Sequence, residues 1–187
     1  LGYILLDLYP RENKYGHACQ FAAIPATYNS DGQPNKALSI VIANFSKSTD
    51  TKPSLLKRSE MRTFFHEFGH ALHGLLGRTK IASFSGTRTK TDFVELPSQM
   101  LEEWLWDKDI LQSLSSHYQT NEPLSDDQIA AIVALKNFDS GYVALRQCCF
   151  SLLALQYFQQ VVLDDPQELL KKIYNSTLDM VEFLPED

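Results

Sequence analysis

The stretch RTFFHEFGHALHG, Arg62 to Gly74, restricts what this chain can fold into more than any other. Its apolar and aromatic residues recur at helical spacing, yet His66, Glu67, His70 and His73 place four ionisable side chains on the same few turns. A helix with such groups must give them water, hydrogen-bond partners or a metal, because burying them unpaired is costly. Phe64, Phe65 and Phe68 are suited to anchoring that helix in a core.

His66, Glu67 and His70 spell H-E-x-x-H. Residues four apart on a helix differ by about 40° in direction and lie roughly 6 Å apart along the axis. His66 and His70 therefore project from one face and can share one metal ion, and imidazole suits Zn²⁺. Glu67 flanks that ion without occupying the ligand face, so its carboxylate is placed to act as a general base on water. The competing role for two such histidines is bonding to carbonyls in the core. His73 is one turn beyond His70, too far along the axis for a compact site. The metzincin pattern needs Gly at position 73 and His at position 76, and the chain has His73 and Leu76. His73 is expected to support the site or the core.

A third ligand should be a carboxylate from another element. Asp92, Glu95, Glu102, Glu103 and Asp107 are candidates. Asp92 and Glu95 also match a helix-capping box, although Pro97 disfavours a regular first turn there. Composition does not choose between Glu95 and Glu102.

Around this stretch the chain reads as α+β and mostly α. Strands are expected at Tyr3–Leu8, His17–Ile24 and Ala37–Phe45, forming a small antiparallel sheet. Ser54 or Ser59 should cap a helix running to about Leu76, and further helices are expected at Val94–Leu114, Asp126–Asn137 and Tyr142–Leu163. The last of these reads as buried, with Arg146 in an ion pair. Asp165-Pro166 opens a final helix. The organisation expected is a sheet part (1–53), the metal-site helices (54–114) and a helical part (115–187). A net charge of -6 without a basic cluster speaks against a nucleic-acid or anionic-membrane surface. Cys19, Cys148 and Cys149, odd in number, suit a reducing compartment such as the cytoplasm.

Several motifs together carry a family resemblance. HEFGHALHGLLGRT, SFSGT, TDFVELPSQMLEEWLWD, YILLDLYPRENKYGHACQ and GYVALRQ resemble the zinc oligopeptidases related to thimet oligopeptidase, neurolysin, oligopeptidase A and dipeptidyl carboxypeptidase. The resemblance spans nearly the whole chain. It implies a zincin-like catalytic core of the gluzincin type, one Zn²⁺ per chain, and hydrolysis of short peptide substrates. It implies that the glutamate of D-F-V-E, Glu95, is the third ligand beside His66 and His70, with Glu67 as catalytic base. Glu102, seven residues on from Glu95, is expected to accept an N–H from a ligand histidine. Phe84, Ser85 and Gly86 are expected to line the cleft, and Ala43, Asn44 and Phe45 to pair with an extended substrate backbone. The family's enzymes are much longer. Their helical lid and their C-terminal transition-state donors, a histidine and tyrosines on a glycine-rich loop, have no match within Leu1–Asp187. The stretch alone is therefore expected to show low or no activity. The competing function is a non-enzymatic domain with a structural metal, for which Glu67 would be superfluous.

Overall fold

Three apolar stretches form the strands β1 (Tyr3–Asp7), β2 (Cys19–Ile24) and β3 (Leu38–Ile42). The computed structural model describes residues 2–159 and 165–184. They divide into two compact units, one ending at residue 129 and the other starting at residue 130. The sheet lies in the first, with strand order β1-β3-β2. β1 runs parallel to β3, and β2 runs antiparallel to it with a bulge between Ala22 and Ile24. The sheet is therefore mixed, not antiparallel as expected. β3 lies between β1 and β2. β3 buries Ser39 and Val41 and takes the interior position. Residue alternation sets the faces of a strand and carries no information on neighbour order.

One buried cation ties the sheet together. The Lys14 side chain is 3% exposed. Its ammonium donates to Asp7 O at 2.9 Å, Asp7 Oδ1 at 3.0 Å, Tyr9 O at 2.7 Å and Ala43 O at 2.6 Å. Asn44 Nδ2 donates to Tyr15 O at 2.8 Å. The turn before β2 is thus fastened to the ends of β1 and β3.

Helix α1 (Arg58–Leu76) packs on the sheet, with Leu75 in a small core with Ala26 and Ala37. It starts after Lys57, not at Ser54 or Ser59. Glu60 Oε2 accepts the Lys57 N–H at 2.7 Å, the contact that the third helical residue makes in a capping box. The expected helix Val94–Leu114 is broken into α2 (Thr91–Val94), α3 (Leu96–Glu102), a tight turn and α4 (Lys108–Leu114). Pro97 cannot donate back to the preceding turn, so the helix restarts at Glu95. Asp107 accepts the Ile110 N–H at 3.0 Å and caps α4. α5 (Asp126–Ala134) spans the division between the units.

In the second unit α6 (Ser140–Gln159) meets α7 (Pro166–Thr177) around Cys149, Ile173, Tyr174 and Leu178. Asp165 caps α7 and Pro166 fills its first position, as expected. Residues 160–163 of the expected long helix lie outside the described residues. α6 is less buried than its composition suggested: Phe158 is 92% exposed, and exposed Arg146 stands over the Phe150 ring at 4.7 Å. Its apolar residues surround the helix, whereas α7 covers one side. Among the described residues no helix is long and apolar enough to cross a membrane.

Lys14→Met should lower stability by about 2–3 kcal/mol, because buried oxygens lose a charged donor. Urea unfolding checks this.

Candidate metal centre

α1 carries Arg58, Arg62, His66 and His70 at four-residue intervals, so all four share one face. The segment from Glu95 to Trp106 meets that face in reverse order. Arg58 Nη2 donates to Leu105 O at 3.3 Å, and its guanidinium lies 4.0 Å from the Trp106 ring centroid. Arg62 Nε donates to Glu102 Oε2. Glu102 Oε1 lies 2.7 Å from His66 Nδ1. Glu95 Oε2 lies 3.2 Å from His66 Nε2 and 3.1 Å from His70 Nε2.

The two segments touch where a side chain is missing. A Cβ on Gly69 would lie 2.6 Å from Ser98 Cα and 2.9 Å from Pro97 O. Only glycine permits that approach. Ser98 Oγ in turn donates to Glu95 O at 2.9 Å and Glu95 Oε2 at 3.0 Å, which orients the carboxylate.

His66 Nε2 and His70 Nε2 are 3.2 Å apart, so three donor atoms converge with nearly equal separations. Ligands about 2.0–2.1 Å from a tetrahedral zinc sit roughly 3.3–3.4 Å from each other. The donor set and its spacing fit Zn²⁺. The Glu102 carboxylate at His66 Nδ1 leaves the Nε2 lone pair free to face the cluster. Burial pushes the His70 imidazole down from the usual histidine range, and Glu95 pulls it the other way. A neutral ring is the form that binds a metal.

Glu67 stands beside the cluster. Partial burial pushes its carboxyl up from the usual range; His66 and the Gln20 backbone N–H oppose that shift, and Glu95 adds to it. Of the sequence candidates, the structure brings His66, His70 and Glu95 together. Glu102 sits behind His66, and Asp107 is spent on a cap. His73 is not in the cluster. Its ring packs edge-on against Phe93 at 5.9 Å, and burial pushes its pKa down. Nδ1 of both His70 and His73 is buried without a hydrogen-bond partner among the described residues.

A cleft of about 390 Å³ opens at the cluster, lined by Ala18, Cys19, Gln20, His66, Glu67, His70, Thr87, Val94 and Glu95. Ala43, Asn44, Phe45, Phe84, Ser85 and Gly86 are not among those lining residues. Ala43 and Phe45 donate their N–H groups to Asp7 O and Leu8 O, and both side chains are buried. Ser85 Oγ donates to Ala26 O at 2.8 Å. Gly86 has φ +57, and a Cβ there would lie 2.7 Å from Gly74 Cα. Its close backbone approach is to α1. Phe84 is exposed. The residues that sequence reasoning missed are Cys19 and Gln20 on β2, Ala18 just before it, and Thr87 and Val94. HACQFAAI was legible as a strand, but nothing in it shows which strand lines the cleft.

The sequence profile described as Peptidase family M3 matches residues 1–185. The chain belongs to peptidase family M3. It is 43% identical to "Saccharolysin" of Saccharomyces cerevisiae over 157 residues, covering 83% of this chain and 22% of that protein. It is 42% identical to "Thimet-like oligopeptidase" of Dictyostelium discoideum over 154 residues, covering 81% and 23%. "Oligopeptidase A" of Escherichia coli is 36% identical over 173 residues, covering 92% and 25%. The chain spans about a quarter of the length of these M3 relatives.

Gly69→Ala should drive α3 off α1, at a cost of about 1–3 kcal/mol for overpacking. Thermal unfolding with and without zinc should show lower stability and a smaller zinc-induced rise than in the natural protein.

Proposed function

We propose that this chain forms the zinc-binding part of a metallopeptidase that hydrolyses peptide bonds in short oligopeptides. The observation that carries this reading is the convergence of His66 Nε2, His70 Nε2 and Glu95 Oε2 beside the Glu67 carboxylate, on a family M3 chain. His66, His70 and Glu95 would hold one Zn²⁺. That is three protein ligands, the number a catalytic zinc keeps. We read the α1-on-sheet arrangement as a zincin-like core. When bound, Zn²⁺ polarises the scissile carbonyl and makes water a stronger acid. Glu67 takes a proton from that water at its carboxylate and returns one to the leaving amine nitrogen. The raised Glu67 pKa supports this role, since a better proton acceptor is a better base.

For the substrate backbone we assign the outer edge at the start of β2, Cys19 and Gln20, with Ala18 just before it. β2 is an edge strand and lines the cleft, whereas β3 leading to Ala43–Phe45 is central. His73, Phe84, Ser85 and Gly86 support α1 and its packing in this reading. The free thiols Cys19, Cys148 and Cys149 support a cytoplasmic setting, and short peptides, not nucleic acid or membrane, are the partners proposed. Since the chain spans about a quarter of its relatives, we expect residues 1–187 alone to show low or no activity, with the lid and the oxyanion donors supplied elsewhere.

In the full-length protein, Glu67→Gln should keep zinc and lower kcat by about 10²–10⁴, the range for a general base. Unchanged turnover would exclude Glu67 from that role and favour a structural metal. Glu95→Ala should weaken zinc binding far more than Glu102→Ala in a metal-competition titration; the reverse order would transfer the ligand role. If the purified protein holds no zinc and added zinc does not stabilise it, the metallopeptidase reading fails.

A further inference from the structure

We infer that Arg62 is a positioning residue for the metal centre, acting through Glu102 on the His66 ring. The inference rests on the zinc reading above. Glu102 has an 11% exposed side chain and divides its two oxygens between two partners: Oε2 takes the Arg62 Nε–H, and Oε1 meets His66 Nδ1. An acceptor at Nδ1 selects the Nδ1–H tautomer, and only that tautomer turns an Nε2 lone pair toward His70 and Glu95. Without Arg62, one oxygen of a buried carboxylate loses its donor, and among the described residues no other group bonds to Oε2. The carboxylate is then free to rotate and can present either oxygen, or neither, to His66.

Arg62 and Arg58 divide the work on this face. Arg58 grips main chain and an aromatic ring, at Leu105 O and Trp106. Arg62 grips the carboxylate that reaches His66. The Arg62 side chain is 69% exposed, so its bulk charge is screened and its bond to Glu102 is worth little as an ion pair. The part that matters is directional. The guanidinium is planar and presents its donors in a fixed fork, which holds the carboxylate plane.

The sign of the effect separates this role from simple electrostatics. Coulomb repulsion between a guanidinium and a bound dication opposes zinc, so removing Arg62 for charge reasons alone would tighten binding. A positioning role predicts the opposite. In the full-length protein, Arg62→Met should weaken zinc binding by about two- to fivefold, the range an exposed ion pair spans. Glu102→Gln should weaken it by about 10–100-fold, as loss of a group bonded to a ligand histidine does. Arg62→Met added to Glu102→Gln should change nothing further. Arg62→Lys, which keeps the charge without the planar fork, should recover only part of the loss. ¹⁵N spectra of the zinc-free protein should show His66 moving from the Nδ1–H form to a mixture of tautomers in Arg62→Met.

Unchanged or tighter zinc binding in Arg62→Met overturns the inference, and so does an equal loss in the Glu102→Gln background. His66→Ala is the control that keeps the two readings apart. If the natural protein binds zinc, His66→Ala abolishes binding and Arg62→Met does not weaken it, this inference alone fails. If the natural protein binds no zinc, the metal reading fails and takes this one with it.

Discussion

The close contact between Gly69 and Ser98 sets the position of everything at the centre. Two chain segments approach until a methyl group would not fit between them. That distance brings Glu95, at the start of the second segment, within reach of both histidines of the first. It also brings the rest of the ladder into register: Glu102 meets His66 and Arg62, and Leu105 and Trp106 meet Arg58. The ionisable groups on α1 are thus matched by partners arriving in reverse order. A helix face that would be costly to bury alone is stabilised because its complement is supplied by one short segment.

The sheet contributes in a different way. Lys14 replaces several main-chain partners with one ammonium and fixes the turn that leads into β2. β2 in turn brings Cys19 and Gln20 to the cleft beside Glu67. Lys14 itself has no place in the cleft lining.

What the sequence made legible follows from the range over which its signals act. The H-E-x-x-H pair was readable because helix geometry fixes where residues four apart point. The strands and the Asp165-Pro166 helix start were readable for the same local reason, whereas the helix expected over Val94–Leu114 is interrupted before Pro97. Glu95 was not separable from Glu102 by spacing, since the choice depends on where another element crosses. The structure shows why both were attractive: one carboxylate meets the Nε2 side of His66 and the other its Nδ1 side. Strand order failed to show through because alternation is blind to neighbours, and the mixed sheet moved the cleft-lining strand from β3 to β2. Ser85 and Gly86 were legible as special but not as to what they approach, which is Ala26 and Gly74.

His70 and His73 sharpen what such a motif means. Both lie on α1, both are shifted down by burial, and both leave Nδ1 without a partner among the described residues. Helix, residue type and burial therefore do not tell them apart. The difference lies across the interface, where His70 Nε2 faces the Glu95 carboxylate and the His73 ring faces Phe93. A carboxylate makes a ring a candidate metal donor, and an aromatic edge makes it a packing residue. The spacing of histidines nominates a metal site, but the residue brought opposite each ring by the Gly69–Ser98 contact decides which nomination stands.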